Sequence, residues 1–283
     1  MGISDLLDNL GDRERITLIK VPRWSLVILL YFLFQLTFEF AAGSIAIYPW
    51  VAAWYPPIGI LLAFLIAFGP RFAPVAALVS FIANQVVTGS SVSVIHNLGW
   101  AVLNTAACTV SSVFMKNILK IDLKFTKVMD FLSGTAVFAV QAILMVLIPI
   151  SALVQMGIIA ESKMGSAIFH WFMGEMVGVI AFTPMILVHF TPRISLFLET
   201  GKIPKPSFQR EKKYYIQLFS QFLSMIIFVY AAFSIKMESG FHLYYIILAP
   251  LLWVALKNGF QQATMAVAFN QSCFNDCRLV YQF

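Results

Sequence analysis

The sequence predicts an all-α fold, a polytopic bundle of about eight transmembrane helices with the N-terminus in the cytoplasm. Three observations carry this. Hydrophobic residues make up 60% of the chain and charged residues 11%, against roughly 25% charged in a soluble domain, and the mean hydropathy is +0.85. Apolar runs of membrane length recur between short polar connections. Lysine and arginine fall on alternate connections, as the positive-inside bias of short loops requires.

Residues 1–23 read as a cytoplasmic amphipathic leader. Ile3, Leu6, Leu7 and Leu10 have helical spacing and precede Asp12-Arg13-Glu14-Arg15, a pattern suited to the membrane surface. The first span runs about Trp24 to Ala42 and carries Glu39 near its far end, a depth from which a carboxylate can snorkel. Trp54-Tyr55-Pro56-Pro57-Ile58-Gly59 then leads into Ile60–Phe68 as a second span. Tandem prolines suit a helix start, where backbone donors are free anyway, and the aromatics suit the interface. Gly69-Pro70-Arg71 is a tight turn before a third span, Phe72 to Val87. The fourth span, about Ser93 to Met115, embeds His96, Asn97 and Asn104 among Gly99, Ala106 and Ala107. Small residues with amides read as helix-helix contacts or as a ligand pocket.

A basic loop with Lys116, Lys120, Lys124 and Lys127 precedes the fifth span, Phe131 to Val154, whose Gln141 reads as an interhelical amide. The sixth span, Ser166 to His189, holds the chain's deepest ionisable group. Glu175 lies about 14 Å into it at ~1.5 Å per residue, near the midplane of a ~30 Å hydrocarbon layer. A carboxyl there costs roughly 2.5–3.5 kcal/mol unless it faces protein or water. Glu175 is thus either a structural carboxyl bonded to a neighbouring helix or a group that binds or senses. Gly174 and Gly178, four apart, share one helix face and admit another backbone, and Pro184 frees a carbonyl and bends the helix. His170 and Glu175 stand about 140° apart on a helix and form no ready-made pair, so a proton relay needs a group from another span, such as His96 or Glu39.

Arg193 to Lys213, with six basic residues and three prolines from Pro192 on, reads as a surface loop or hinge. Spans seven and eight follow at about Tyr214 to Ile235 and Phe241 to Leu256. With the N-terminus inside, the inner side holds sixteen lysines and arginines and the outer loops only Lys163 and Lys236. The run Phe260 to Phe269 is too short to cross, and residues 270–283 form an atypical tail, expected to mark a truncated end of a 24–269 transmembrane domain.

The basic residues lie between apolar runs without interleaved aromatics, so no nucleic acid is expected. Cys108 reads as packing, and Cys273 and Cys277 have no histidine nearby, so neither a metal nor a cofactor is expected. Nucleotide-loop, zinc-protease and serine-hydrolase motifs do not occur, which argues against an enzyme.

Pro56-Pro57-Ile58-Gly59, Gly69-Pro70-Arg71 with Pro74, Asn104, Trp171-x-x-Gly174-Glu175-x-x-Gly178 with Pro184, and Pro250-x-x-Trp253 with Gly259 together resemble the type-one bacterial membrane-associated sensor domain. The resemblance extends to about residue 269, with glutamate where that pattern often has aspartate. It implies an input module in the bacterial inner membrane, usually fused to a cytoplasmic histidine kinase, diguanylate cyclase or cyclic di-GMP phosphodiesterase, with the output region missing after the tail. The partners it implies are the lipid bilayer, a cytoplasmic output domain or signalling protein, and a second copy in a homodimer. A small-solute transporter is the alternative, because transporters also use interrupted helices and midplane polar groups. The candidate sensing residues are Glu175, His170, Trp171, Asn104 and Glu39, on a structural motif of Pro56, Pro57, Gly59, Gly174, Gly178 and Pro184.

Overall fold

The computed structural model describes residues 12–202, apart from positions 45, 49, 53, 90–91 and 123–127, together with positions 219, 220, 223, 224, 227, 263, 264, 266 and 267. Seven helices and one two-stranded hairpin make up the continuous part: α1 (Asp12–Ser44), β1 (Ala46–Tyr48), β2 (Val51–Ala52), α2 (Pro56–Phe68), α3 (Ala73–Thr88), α4 (Val94–Val113), α5 (Val128–Gln155), α6 (Met164–Met185) and α7 (Thr191–Thr200). Five described helical stretches are long and apolar enough to cross a membrane: Pro22–Ser44, Pro70–Thr88, Val94–Ile118, Met129–Gln155 and Glu161–Thr200. The fold is a multi-pass membrane helix bundle. The expected seventh and eighth spans fall outside the described residues, except for helical positions at 219, 220, 223, 224 and 227. The expected tail, 270–283, also lies outside them.

The second expected span is built differently from the others. It starts as a hairpin, with Ala46 opposite Ala52 and Tyr48 opposite Val51, favoured by the β-branched and aromatic residues Ile47, Tyr48, Trp50 and Val51. Val51 is fully buried with Val146, Ile150, Ile159 and Ala167, so the hairpin is wedged between the end of α5 and the start of α6. The following helix, α2, has only 13 residues, about 20 Å at 1.5 Å each and short of a ~30 Å crossing. Every residue from Pro56 to Ile66 is buried. α2 is therefore the axis of the bundle, with α6 packed most extensively along it and α1 and α4 on its other sides.

Lipid takes over where α2 does not reach. Leu132, Val140, Ile143, Leu144 and Leu147 on α5, Leu26, Leu29, Leu30 and Leu33 on α1, and Ile95, Leu98 and Val102 on α4 are all exposed. Apolar surface on that scale would be a liability in water and is what a bilayer solvates.

α1 begins at Asp12 and passes through Pro22 without a break, so residue 23 is not a helix boundary. The expected loop after Arg193 is another difference, because its first part is helical. α6 relaxes into a π turn at Ile186–Phe190 and continues as α7 to Thr200, where Gly201 adopts a left-handed conformation with φ 71°. Pro192 sits in the first turn of α7, where its missing N–H costs nothing. A proline that reads as a stop in the sequence is here a helix start.

One end of the bundle is tied together by basic and aromatic groups. Arg23 donates to the carbonyls of Leu198 and Glu199 at 3.1 and 3.3 Å, capping the C-terminus of α7 with a cation. Trp24 stacks on Phe72 at 4.6 Å, and the Arg71 guanidinium lies over the same Phe72 ring at 5.1 Å. The start of the α1 span, the α2–α3 turn and the end of α7 thus share one end, the three segments that the charge count assigns to the inner side.

Candidate functional site: a buried carboxyl junction at the start of α2

Glycine sets the geometry of the site. A Cβ on Gly178 would run into the carbonyl of Tyr55 and lie 3.2 Å from Cα of Pro56, and one on Gly59 would run into the carbonyl of Gly178 and lie 3.2 Å from Cβ of Phe182. α6 and the entry to α2 consequently cross backbone to backbone. Two hydrogen bonds fasten the crossing: the Tyr55 amide donates to the Gly174 carbonyl at 3.1 Å, and the Thr183 hydroxyl donates to the Gly59 carbonyl at 3.0 Å. Pro56 and Pro57 open α2, where no intrahelical donor is lost.

The crossing carries two buried acids. Glu175, 1% exposed, accepts a hydrogen bond on Oε1 from the Trp171 indole at 2.9 Å, while its Oε2 is buried with no hydrogen bond partner among the described residues. Glu39 on α1, 6% exposed, accepts one from the Tyr55 hydroxyl at 2.7 Å. Rather than snorkelling outward, Glu39 turns into the bundle, because the Tyr55 hydroxyl offers it a donor inside. Tyr55 therefore joins the acids, its hydroxyl on Glu39 and its amide on the residue next to Glu175.

Two cavities adjoin the junction. A small chamber of about 10 Å³ is lined by Gln35, Glu39, Tyr55, Ser80, Asn84, Trp100 and Asn104 together with apolar residues of α2 and α4. The larger, about 1010 Å³, lies between the far ends of α1 and α3, the first half of α4, the end of α5 and the hairpin. Its walls are largely apolar, among them Val87, Leu103, Ile148 and Leu153, with Glu39, Tyr55, Asn97, Trp100 and Trp171 as polar or aromatic features. It opens to the bundle surface, since Ile95, Leu98, Val102 and Ile148 in its wall are exposed, and its size suits a small molecule. Trp100 meets Trp171 edge to face at 5.3 Å.

Among the residues singled out from the sequence, the structure brings together Glu175 with Trp171, and Glu39 with Asn104 in the wall of the small chamber. His170 stands apart, with Nδ1 2.7 Å from the Ser166 carbonyl and its ring 6.1 Å from Tyr48, whose hydroxyl donates to Ser166 at 3.0 Å. His96 is exposed at the start of α4, its amide on the Ser93 cap at 3.4 Å. Asn97 donates to Gln85 at 2.8 Å, and Gln141 joins α5 to Ser111 and Cys108 of α4, so these amides serve helix contacts. Among the described residues, no cluster of three or more His, Cys, Asp or Glu could hold a metal ion. Sequence reasoning took Tyr55 for an interfacial aromatic and passed over Gln35. The signal for Gln35 was present, since it sits one turn before Glu39 on the same face of α1.

Comparisons with curated proteins and with solved structures find no match. The family model MASE1 matches residues 24–272, most of the chain and all of the carboxyl junction described above. The chain belongs to the MASE1 family, the membrane-associated sensor 1 domain, a sensory input domain of signalling proteins that is not itself catalytic.

Proposed function

We propose that this input domain responds to a small apolar or amphipathic molecule that occupies the larger cavity, and that the carboxyl junction of Glu39, Tyr55 and Glu175 converts occupancy into a shift of α6. The observation that carries the reading is the pair of buried acids held at one backbone crossing, one of them, Glu39, in the wall of a cavity of about 1010 Å³. Buried ionisable groups within a membrane bundle are costly and mark functional sites by default. Membership of a sensory family favours this over solute transport.

The route to the output is continuous. Trp171 contributes to the cavity wall and holds Glu175 one turn further along α6, and the same helical stretch runs through a π turn into α7. π turns are frequent at functional sites within helices. Here His189 of the π turn shares a hydrogen bond with Thr264 at 3.2 Å, and α7 is held to α1 by Arg23. A ligand that favours one arrangement of α6 over another shifts their populations by its differential affinity, and a cytoplasmic kinase, cyclase or phosphodiesterase partner reads the result.

Filling the cavity tests this. Ala152, in the cavity wall, is replaced by tryptophan, and the full chain is joined to a cytoplasmic diguanylate cyclase. The Ala152→Trp protein is expected to reach the membrane at wild-type level with altered cyclic di-GMP output. Wild-type output from a filled cavity would contradict the reading.

A further inference from the structure

We propose that the small chamber between α1, α2, α3 and α4 binds one dehydrated monovalent cation of about the size of Na⁺. The chamber measures about 10 Å³, room for a single water or an ion of similar size. Among the described residues, the buried side-chain atoms of its lining that have no partner are three oxygens. Gln35 is 2% exposed and Asn104 7%, yet Gln35 Oε1 and Asn104 Oδ1 are both buried with no hydrogen bond partner among the described residues, and the Ser80 hydroxyl lies beside that of Tyr31. Each such group costs roughly 1–3 kcal/mol when left unmatched. Glu39 adds a carboxylate to the same wall, and the Tyr55 hydroxyl is already committed to it at 2.7 Å.

The chemistry of that set selects the occupant. Amide carbonyls and a carboxylate offer lone pairs only. A water and the Ser80 hydroxyl have three hydrogens between them to share among these oxygens, whereas a cation engages the oxygens at once and also balances the carboxylate's charge. Hard oxygen donors suit alkali and alkaline-earth ions rather than soft transition metals. The chamber has one carboxylate, so a single positive charge makes it neutral, while a divalent ion would leave a net charge in a low-dielectric interior. The arrangement also spreads the ligands over separate elements: Gln35 and Glu39 on α1, Ser80 on α3, Asn104 on α4. A bound ion would draw these helices together at the mouth of the larger cavity, which Glu39 also lines.

The test uses the full chain in lipid nanodiscs, titrated with NaCl against choline chloride at constant ionic strength. Trp100 in the chamber wall gives a fluorescence signal, and the thermal unfolding midpoint gives a second. A saturable fluorescence change and a raised midpoint with Na⁺, absent with choline, are expected for the wild type and lost in Glu39→Gln. Should Glu39→Gln fail to fold, Asn104→Leu keeps the carboxylate, removes one ligand and should lose or greatly weaken the response. Equal responses in the two salts overturn the assignment. So does a Na⁺ response that persists unchanged in Glu39→Gln or Asn104→Leu, or a response to pH alone that is the same in every salt, since the chamber would then hold water beside a protonated Glu39.

Discussion

Replacing Gly178 with alanine adds one methyl group at the point where α6 crosses the entry to α2. The added Cβ would meet the Tyr55 carbonyl oxygen, lie 2.7 Å from the Tyr55 carbonyl carbon and 3.2 Å from the Pro56 Cα. All three are backbone atoms, so no side chain can rotate away, and the two segments must separate. Overpacking of this kind costs roughly 1–3 kcal/mol. Separation also lengthens the Tyr55 amide bond to Gly174 and the Thr183 bond to Gly59, at roughly 0.5–1.5 kcal/mol each. Alanine's better helix propensity returns about 1 kcal/mol, so the net loss is about 1–5 kcal/mol. The assay is reversible unfolding in mixed micelles, with Gly99→Ala as the control. Gly99 is also helical, but a Cβ there meets nothing within 4 Å, and that variant should match or slightly exceed the wild type. Stability of Gly178→Ala equal to that of Gly99→Ala would refute the backbone crossing and the site built on it.

Tyr55→Phe keeps the ring and removes the hydroxyl that donates to Glu39; it should destabilise the fold by roughly 1–3 kcal/mol, the cost of leaving a buried acceptor unmet, and a loss below about 0.5 kcal/mol would show that Glu39 reaches another donor. The charge count places Lys124 and Lys205 in the cytoplasm and Lys163 and Lys236 outside. In a background without Cys273 and Cys277, single cysteines at 163 and 236 should react with an impermeant thiol reagent on intact cells and those at 124 and 205 should not; labelling of position 205 from outside would reverse the orientation.

Five of the expected spans were legible because lipid imposes length and apolarity, and the boundaries of α3, α4 and α5 follow the apolar runs closely. The close approach at Gly174 and Gly178 was legible too, since four-residue spacing fixes a shared face, but the partner backbone could not be read. The axial position of α2 was hidden for a physical reason: a helix buried in protein and one facing lipid are equally apolar, so Pro56–Phe68 carries no mark of its place. The hairpin was hidden by its length, since Ala46–Ala52 is too short for a period to establish itself. α7 was masked by Pro192, whose effect depends on whether it falls in a first turn or an interior one. Glu175 stood out by depth alone, whereas Tyr55 did not, because its role rests on a contact with Glu39 that only the folded chain brings about.

The central claim, that the buried carboxyl junction carries the sensory response, is tested most directly by Glu175→Gln in the full chain fused to a cytoplasmic diguanylate cyclase, read as cyclic di-GMP output per unit of membrane-inserted protein. Glutamine keeps the acceptor for the Trp171 indole and removes ionisation, so packing is preserved while the balance between arrangements of α6 is not. A change in output of at least ~5-fold at wild-type membrane levels is expected, the lower end of ordinary coupling energies. Output indistinguishable from wild type at the same membrane level would contradict the account and leave Glu175 a structural carboxyl.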